Sequence, residues 1–278
     1  AEFEAPAGLE PPDTGVTIEL PKTRRHVYVA APLAYYLGAT VVPGGTPRVT
    51  TDTGFVHELG TGEDFQTGVE RLLKRTFFLD CLTRTEGYYQ VDLHERNALE
   101  ADTGVDLDFA DLYGRPLGEQ LEAYATVPYE VITAHAPTWK LTAHVEPTAS
   151  NVELLPFVAN DLAVVTSPTA DPTTGSATQA DAVEGFLRRP RGSPPSSPES
   201  EPAPSTEAAS FTRSAGTRTQ DAAPRQRSYV RPPETDALEQ AWVGSGIPIG
   251  ASKASGAAYR NRLDRDPVEG DIGITVVC

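Results

Sequence analysis

Cys81 and His94 have the residue types of a nucleophile and its general base. They lie thirteen residues apart, with Glu86 and Asp92 between them. A thiol hydrolase needs a cysteine that a neighbouring histidine activates, so this pair is one candidate site. The other interpretation is structural, because Cys81 ends an apolar helical segment, where a buried and inert cysteine is common. We favour the structural interpretation and keep the thiol hydrolase as the alternative.

The other histidines do not have the spacing of a metal site. His135 and His144 flank Trp139 and are nine residues apart, whereas metal ligands on one strand or helix are usually closer. Glu146 is the one further ligand type nearby. The sequence therefore predicts no metal ion.

The glycine-rich stretch 244–250 does not have the pattern of a phosphate loop. A Walker loop needs Gly-Lys-Ser/Thr, whereas here Lys253 follows Ser252. The third glycine is also misplaced for a dinucleotide fingerprint. Ser252 is predicted instead to be the N-cap of a helix. From the sequence we assign no catalytic, cofactor-binding or metal-binding residue.

Composition and charge narrow the classes of partner. The 278 residues carry 39 acids against 23 bases, for a formal net charge of −16. Such a chain is repelled by nucleic acid and by anionic membrane surfaces, and no apolar run reaches transmembrane length. We expect no nucleic-acid partner and no membrane. The two cysteines are too few for a disulfide scaffold, so a reduced, cytoplasmic setting is expected.

The basic residues point to a high-salt habitat. Four of the 23 are lysine, and the rest are arginine. Acid excess with scarce lysine is typical of proteins adapted to molar salt, where a Debye length of about 3 Å screens self-repulsion.

The N-terminal part is predicted to be a mixed α/β (α+β) domain over residues 15–166. The alternation at 16–20 predicts a half-buried strand, continued by His26–Val29. A short helix follows over 30–37 and ends at Gly38. Residues 40–42 and 48–51 are predicted to pair as a hairpin.

Later elements of this domain follow from helical spacing and alternation. The strongest helix covers 62–80, with Thr61 and Asp64 as a capping box. Its core positions are expected to be Phe65, Val69, Leu72, Leu73, Thr76 and Leu79. Further elements are predicted as helices over 117–125 and 152–159 and strands over 139–145 and 162–165.

Composition divides the rest of the chain. Residues 1–14 are predicted to be a flexible leader and 167–235 a disordered linker rich in Pro, Ser, Thr and Ala, which cannot bury enough apolar surface to fold. Residues 236–278 are predicted to begin an incomplete α/β unit. Its elements are expected to be helices over 238–243 and 251–263, an extended segment over 247–249 and a strand over 271–278.

Several stretches resemble a group of haloarchaeal proteins that end in a CHAT domain, a relative of the caspase-type cysteine peptidases. These stretches are residues 31–44, 77–96, 140–165, 246–263 and 270–278. The resemblance implies that a catalytic histidine and cysteine would follow residue 278, so the CHAT-like domain is truncated here and carries no catalytic residue. The expected function is a non-catalytic accessory or sensing region, whose partner is another protein or an appended peptidase-like domain.

The excess of carboxylates predicts folding that depends on salt. When salt falls from molar to about 0.1 M, the Debye length rises to about 10 Å and the carboxylates repel one another. We expect the cooperative thermal transition, followed by circular dichroism, to be lost over that range. An unchanged midpoint temperature would contradict the high-salt adaptation.

Overall fold

A computed structural model describes five parts of the chain. They are residues 12–87, 90–101, 105, 107–168 and 228–254. Most of the predicted leader and linker, and the whole predicted strand 271–278, lie outside these residues. The described part is mixed α/β, as the sequence predicts, and contains two four-stranded sheets, a two-stranded pair and seven α-helices.

The first sheet is built around β1 (Val16–Leu20), whose alternating burial confirms the predicted half-buried strand. β2 (Thr40–Pro43) pairs with β1 in parallel, and β3 (Arg48–Thr51) pairs with its other edge antiparallel. β4 (Val56–Glu58) then pairs with β3. The predicted hairpin between the second and third strands is therefore wrong, because β1 lies between them.

Helix α1 (Arg24–Leu37) begins earlier than the sequence predicts. The Thr23 hydroxyl accepts a hydrogen bond from the His26 backbone N–H at 3.4 Å, which is an N-cap. The predicted strand over His26–Val29 is therefore wrong. The helix continues through Pro32, which normally marks a first turn. It ends as predicted at Gly38, where φ is +57° and glycine has no steric penalty.

Helix α2 (Asp64–Thr83) confirms the strongest helix prediction, and all six predicted core positions are buried. The capping box is wrong, because the N-cap is Glu63 and makes no side-chain cap hydrogen bond. Four shorter helices follow: α3 (His94–Ala101), α4 (Phe109–Tyr113), α5 (Leu117–Ala125) and α6 (Tyr129–His135). α5 has the predicted bounds.

The second sheet is parallel throughout. β5 (Leu141–Val145) is followed by a 3₁₀ turn over 149–154, α7 (Leu155–Asn160) and β6 (Val164–Thr166). β7 (Tyr229–Val230), β8 (Glu239–Val243), β9 (Ile247–Pro248) and β10 (Ser252–Lys253) follow in the chain. The order across the sheet is β10-β8-β5-β6, while β7 pairs with β9 alone.

Three expectations for the C-terminal part need correction. Residues 238–243 are not a helix, because β8 pairs with β5 along its whole length. Ser252 lies in β10 and is not a helix N-cap, so the predicted helix 251–263 does not begin there; its residues after 254 lie outside the described chain. Residues 239–243 pair with residues 141–145, so the second sheet contains strands from both sides of the domain boundary predicted at residue 236.

Two hydrophobic clusters share helix α2. The first joins both sheets to α1 and takes Phe65, Val69 and Leu72 from the front of α2. The second cluster joins the four short helices α3, α4, α5 and α6, and it takes Leu79 and Leu82 from the end of α2. The helix therefore ties the sheets to the helical layer.

Gly68 is where α2 passes closest to the loop after β4. A Cβ on Gly68 would overlap the carbonyl oxygen of Leu59 and lie 2.8 Å from its carbonyl carbon. We expect Gly68→Ala to lower the free energy of unfolding by about 1–3 kcal/mol through overpacking, although alanine favours helix. Urea unfolding in molar salt measures this change.

Gly45→Ala is the matched control, because a Cβ there meets nothing within 4 Å. It should change the free energy of unfolding by less than about 0.5 kcal/mol. Equal effects of the two substitutions would contradict the close approach.

Candidate functional site

A cavity of about 540 Å³ lies where the end of α2, helix α6 and the segment before β5 meet. This volume is within the range of small-molecule sites, about 300–1,000 Å³. Its apolar wall consists of Phe77, Phe78, Leu82, Leu93, Ile132 and Trp139. Phe78, Leu82 and Ile132 belong to the second hydrophobic cluster, whereas Trp139 packs against the first. The cavity thus lies at the junction of the two clusters.

Trp139 is held in the wall by contacts on several sides. Its ring meets Phe77 edge-on, with centroids 5.4 Å apart and an interplanar angle of 81°. Its indole N–H donates to the Leu162 carbonyl oxygen at 3.0 Å, and its own carbonyl accepts from the Leu238 N–H at 3.0 Å. An aromatic side chain fixed in this way offers a preformed apolar surface.

Tyr129 also lines the cavity and is contacted by side chains of α2. The guanidinium groups of Arg71 and Arg75 lie 5.3 Å and 5.9 Å from its ring centroid. Such cation–π contacts are worth about 0.5–1 kcal/mol at exposed sites. They attach α6 to α2 beside the cavity.

Cys81 lines the cavity, but among the described residues it is not paired with a histidine there. Burial raises the pKa of its thiol, Asp80 raises it further, and Arg84 opposes this change. His94 is the first residue of α3, and the residues on either side of it, Leu93 and Glu95, line the cavity. Among the described residues no histidine lines the cavity, and Cys81 makes no hydrogen bond with His94.

Asp80 is a buried carboxylate beside Cys81 that the sequence analysis did not single out. It accepts hydrogen bonds from the Tyr36 hydroxyl at 2.5 Å and from Arg84 at 2.7 Å. Burial and this carboxylate together raise the pKa of Tyr36 far above its usual range, so the phenol stays a donor. The i,i+4 spacing of Asp80 and Arg84 is the feature of the sequence that could have indicated this ion pair. These contacts fix α1 to α2 next to the cavity.

The charged groups of the cavity differ in exposure. The Lys74 side chain is 13% exposed, and its ammonium contacts Glu70 at 2.7 Å. Burial alone would lower the pKa of Lys74, but Glu70 and Asp236 outweigh burial and raise it, so the group is charged at neutral pH. Lys140 and Asp161 also line the cavity and are exposed, whereas Glu95 lines it and is half-buried.

The remaining predicted candidates lie elsewhere. His144 is buried in β5, where its Nδ1 is 2.7 Å from the Thr166 hydroxyl. Neither His144 nor His135 lines the cavity. Within the described ranges no cluster of three or more His, Cys, Asp or Glu residues is arranged to hold a metal ion.

The glycine-rich loop 244–250 is closed by side chains of the same chain. The Ser245 N–H donates to the Glu146 carboxylate at 2.8 Å. Lys253 donates to the carbonyl oxygens of Gly244 and Gly246, the latter at 2.7 Å. The Ser245 N–H and the Lys253 ammonium, donors of the kind that a phosphate would accept from, are thus already bound to acceptors of the same chain.

Comparison with protein-family models, with curated proteins and with solved structures finds no match to this chain. The resemblance to CHAT-domain proteins therefore stays a prediction. In the part of the chain that the structure describes, no helix has the length and hydropathy needed to cross a bilayer.

The raised pKa of Cys81 predicts a slow thiol. Less thiolate forms at neutral pH, and the thiolate is the nucleophile. In a Cys278→Ser variant, Cys81 should react with a disulfide reagent more slowly in the folded protein than in the same protein unfolded. The reaction rate should also increase with pH, and the midpoint of that increase should lie at a higher pH in the folded protein than in the unfolded chain.

The same assay can contradict this assignment. A folded-state rate well above that of the unfolded chain, abolished by His94→Ala, would favour the thiol hydrolase.

Proposed function

We propose that this chain is a non-catalytic binding region whose cavity receives a small, predominantly apolar molecule. The observation that carries the proposal is the preformed cavity of about 540 Å³, whose wall is mostly aromatic and aliphatic. Ligand sites of this kind have an apolar lining with a few placed polar groups. Lys74, Cys81 and Glu95 are half-buried polar or charged side chains of this lining. The burial-raised pKa of the Cys81 thiol favours binding over nucleophilic chemistry.

The position of the cavity suits a sensor. A molecule there would contact Phe78 and Ile132 of the second cluster and Trp139, which packs on the first. A ligand that binds only the assembled arrangement stabilises it, by about 2.7 kcal/mol at a hundred times its Kd. Ligand binding would therefore change how firmly the helical layer and the sheets hold together.

The wider setting of this region is also part of the proposal. We place it in the cytoplasm of a salt-adapted cell, as an accessory or sensing region of a CHAT-type protein. Its signal would pass to a protein partner or to an appended peptidase-like domain. The stretches that resemble this family and the scarcity of lysine support this setting.

A fluorescent apolar probe tests the binding proposal. N-phenyl-1-naphthylamine is neutral and brightens in apolar sites, so we expect saturable binding to the folded chain in molar salt. Ala136→Phe places a ring in the lining and should weaken binding by about tenfold or more, because overpacking costs about 1–3 kcal/mol. Ala136 lines the cavity.

Ala110→Phe is the matched control, because Ala110 is exposed on α4 and lies outside the cavity lining. It should leave probe affinity unchanged. No saturable binding to the folded wild-type chain, or equal loss in both variants, would contradict the cavity as the site.

A further inference from the structure

Lys74 is a charged side chain of the cavity that is only 13% exposed. Its one close carboxylate is Glu70 on the preceding turn of α2, at 2.7 Å. Asp236 lies 3.8 Å from the ammonium, beyond hydrogen-bond length, and its side chain is 80% exposed. An ammonium has three N–H donors. Lys74 therefore has hydrogen-bonding capacity beyond its bond to Glu70.

The surroundings of Lys74 strengthen its preference for an anion. Charges interact more strongly where water is excluded than at an exposed rim. Lys140, Asp161 and Asp236 are exposed at the cavity, so molar salt screens them efficiently. The Lys74 side chain is 13% exposed, so its charge is screened less. Glu95 also lines the cavity and is half-buried, so an anionic head group would have to bind at Lys74 and away from Glu95.

The apolar wall lies beside this ammonium. Phe77, Phe78 and Trp139 line the same cavity as Lys74, and Phe78 lies one helical turn further along α2, at i+4. A molecule with an acidic head and an apolar body would satisfy both parts of the site. A charge-assisted hydrogen bond of this type is stronger than a neutral one.

We propose that the ligand of this cavity is an apolar carboxylic acid whose carboxylate binds the Lys74 ammonium in place of Asp236. Its hydrocarbon body lies against Trp139 and the end of α2. This inference rests on the proposed binding function and adds the chemical class of the ligand.

Three molecules with the same eight-carbon chain test the head group. Octanoate, 1-octanol and octylamine are each titrated against bound N-phenyl-1-naphthylamine on the full chain in molar salt. Octanoate should displace the probe at a concentration about tenfold or more below that of 1-octanol, as a hydrogen bond to a charged group implies. Octylamine should be the weakest competitor.

Substitutions identify the residue responsible. Lys74→Gln should remove the preference for octanoate over 1-octanol while leaving 1-octanol competition intact, and Lys74→Arg should retain the preference. Lys22→Gln is the matched control, because Lys22 is an exposed lysine outside the cavity lining, and it should retain the preference. Probe binding by each variant reports that its cavity is formed.

The outcomes separate the two proposals. If the probe does not bind the wild-type chain, the proposed function fails. If the probe binds but 1-octanol or octylamine competes as well as octanoate, the ligand class is wrong and the binding function stands. If Lys74→Gln still binds octanoate in preference to 1-octanol, the proposed role of Lys74 is wrong. If Lys74→Gln no longer binds the probe, the order of the three competitors on the wild-type chain decides the ligand class.

Discussion

The burial of α2 along its whole length is the constraint on which the rest of the structure depends. At about 1.5 Å per residue, its 20 residues span about 30 Å. Phe65 and Val69 at its front are in the first cluster, whereas Leu79 and Leu82 are in the second. Within the described residues, α1 is the next longest helix, with 14 residues, and it contributes buried residues to the first cluster but none to the second.

A cavity at this junction follows from that arrangement. Two cores that are built from different elements meet along one helix, and the segment leading into β5 crosses it there. Trp139 reaches across from the sheet side, and Ile132 comes from the helical layer. The Asp80 contacts with Tyr36 and Arg84 hold α1 and α2 together beside the cavity. Such fixed walls lower the ordering cost that a ligand must overcome.

Local patterns were enough to predict some elements and not others. The helical spacing of large apolar residues predicted α2 and its core, because that signal persists over five turns. The five residues of β8 carry no such signal, and they become a strand by pairing with β5, about a hundred residues earlier. For α1, residues 26–29 were predicted to continue the first strand, whereas the cap at Thr23 begins the helix before them.

The site was harder to predict than the fold. Cys81 was expected to follow the helix over 62–80 and to be buried, whereas it lies inside α2, which continues to Thr83, and is only partly buried. Lys74 and Trp139 gave no sign that they share a cavity, because the segments that bring them together are distant in sequence and meet only through tertiary packing.

Hydrogen exchange with and without the apolar probe tests the central claim most directly. If the cavity at the junction is the binding site, saturating N-phenyl-1-naphthylamine should slow amide exchange at the end of α2 and over residues 129–140. Exchange in the strands of the first sheet, over residues 16–20, 40–43, 48–51 and 56–58, should slow much less. Slower exchange in other segments only, or no change in exchange at saturating probe, would contradict binding in this cavity.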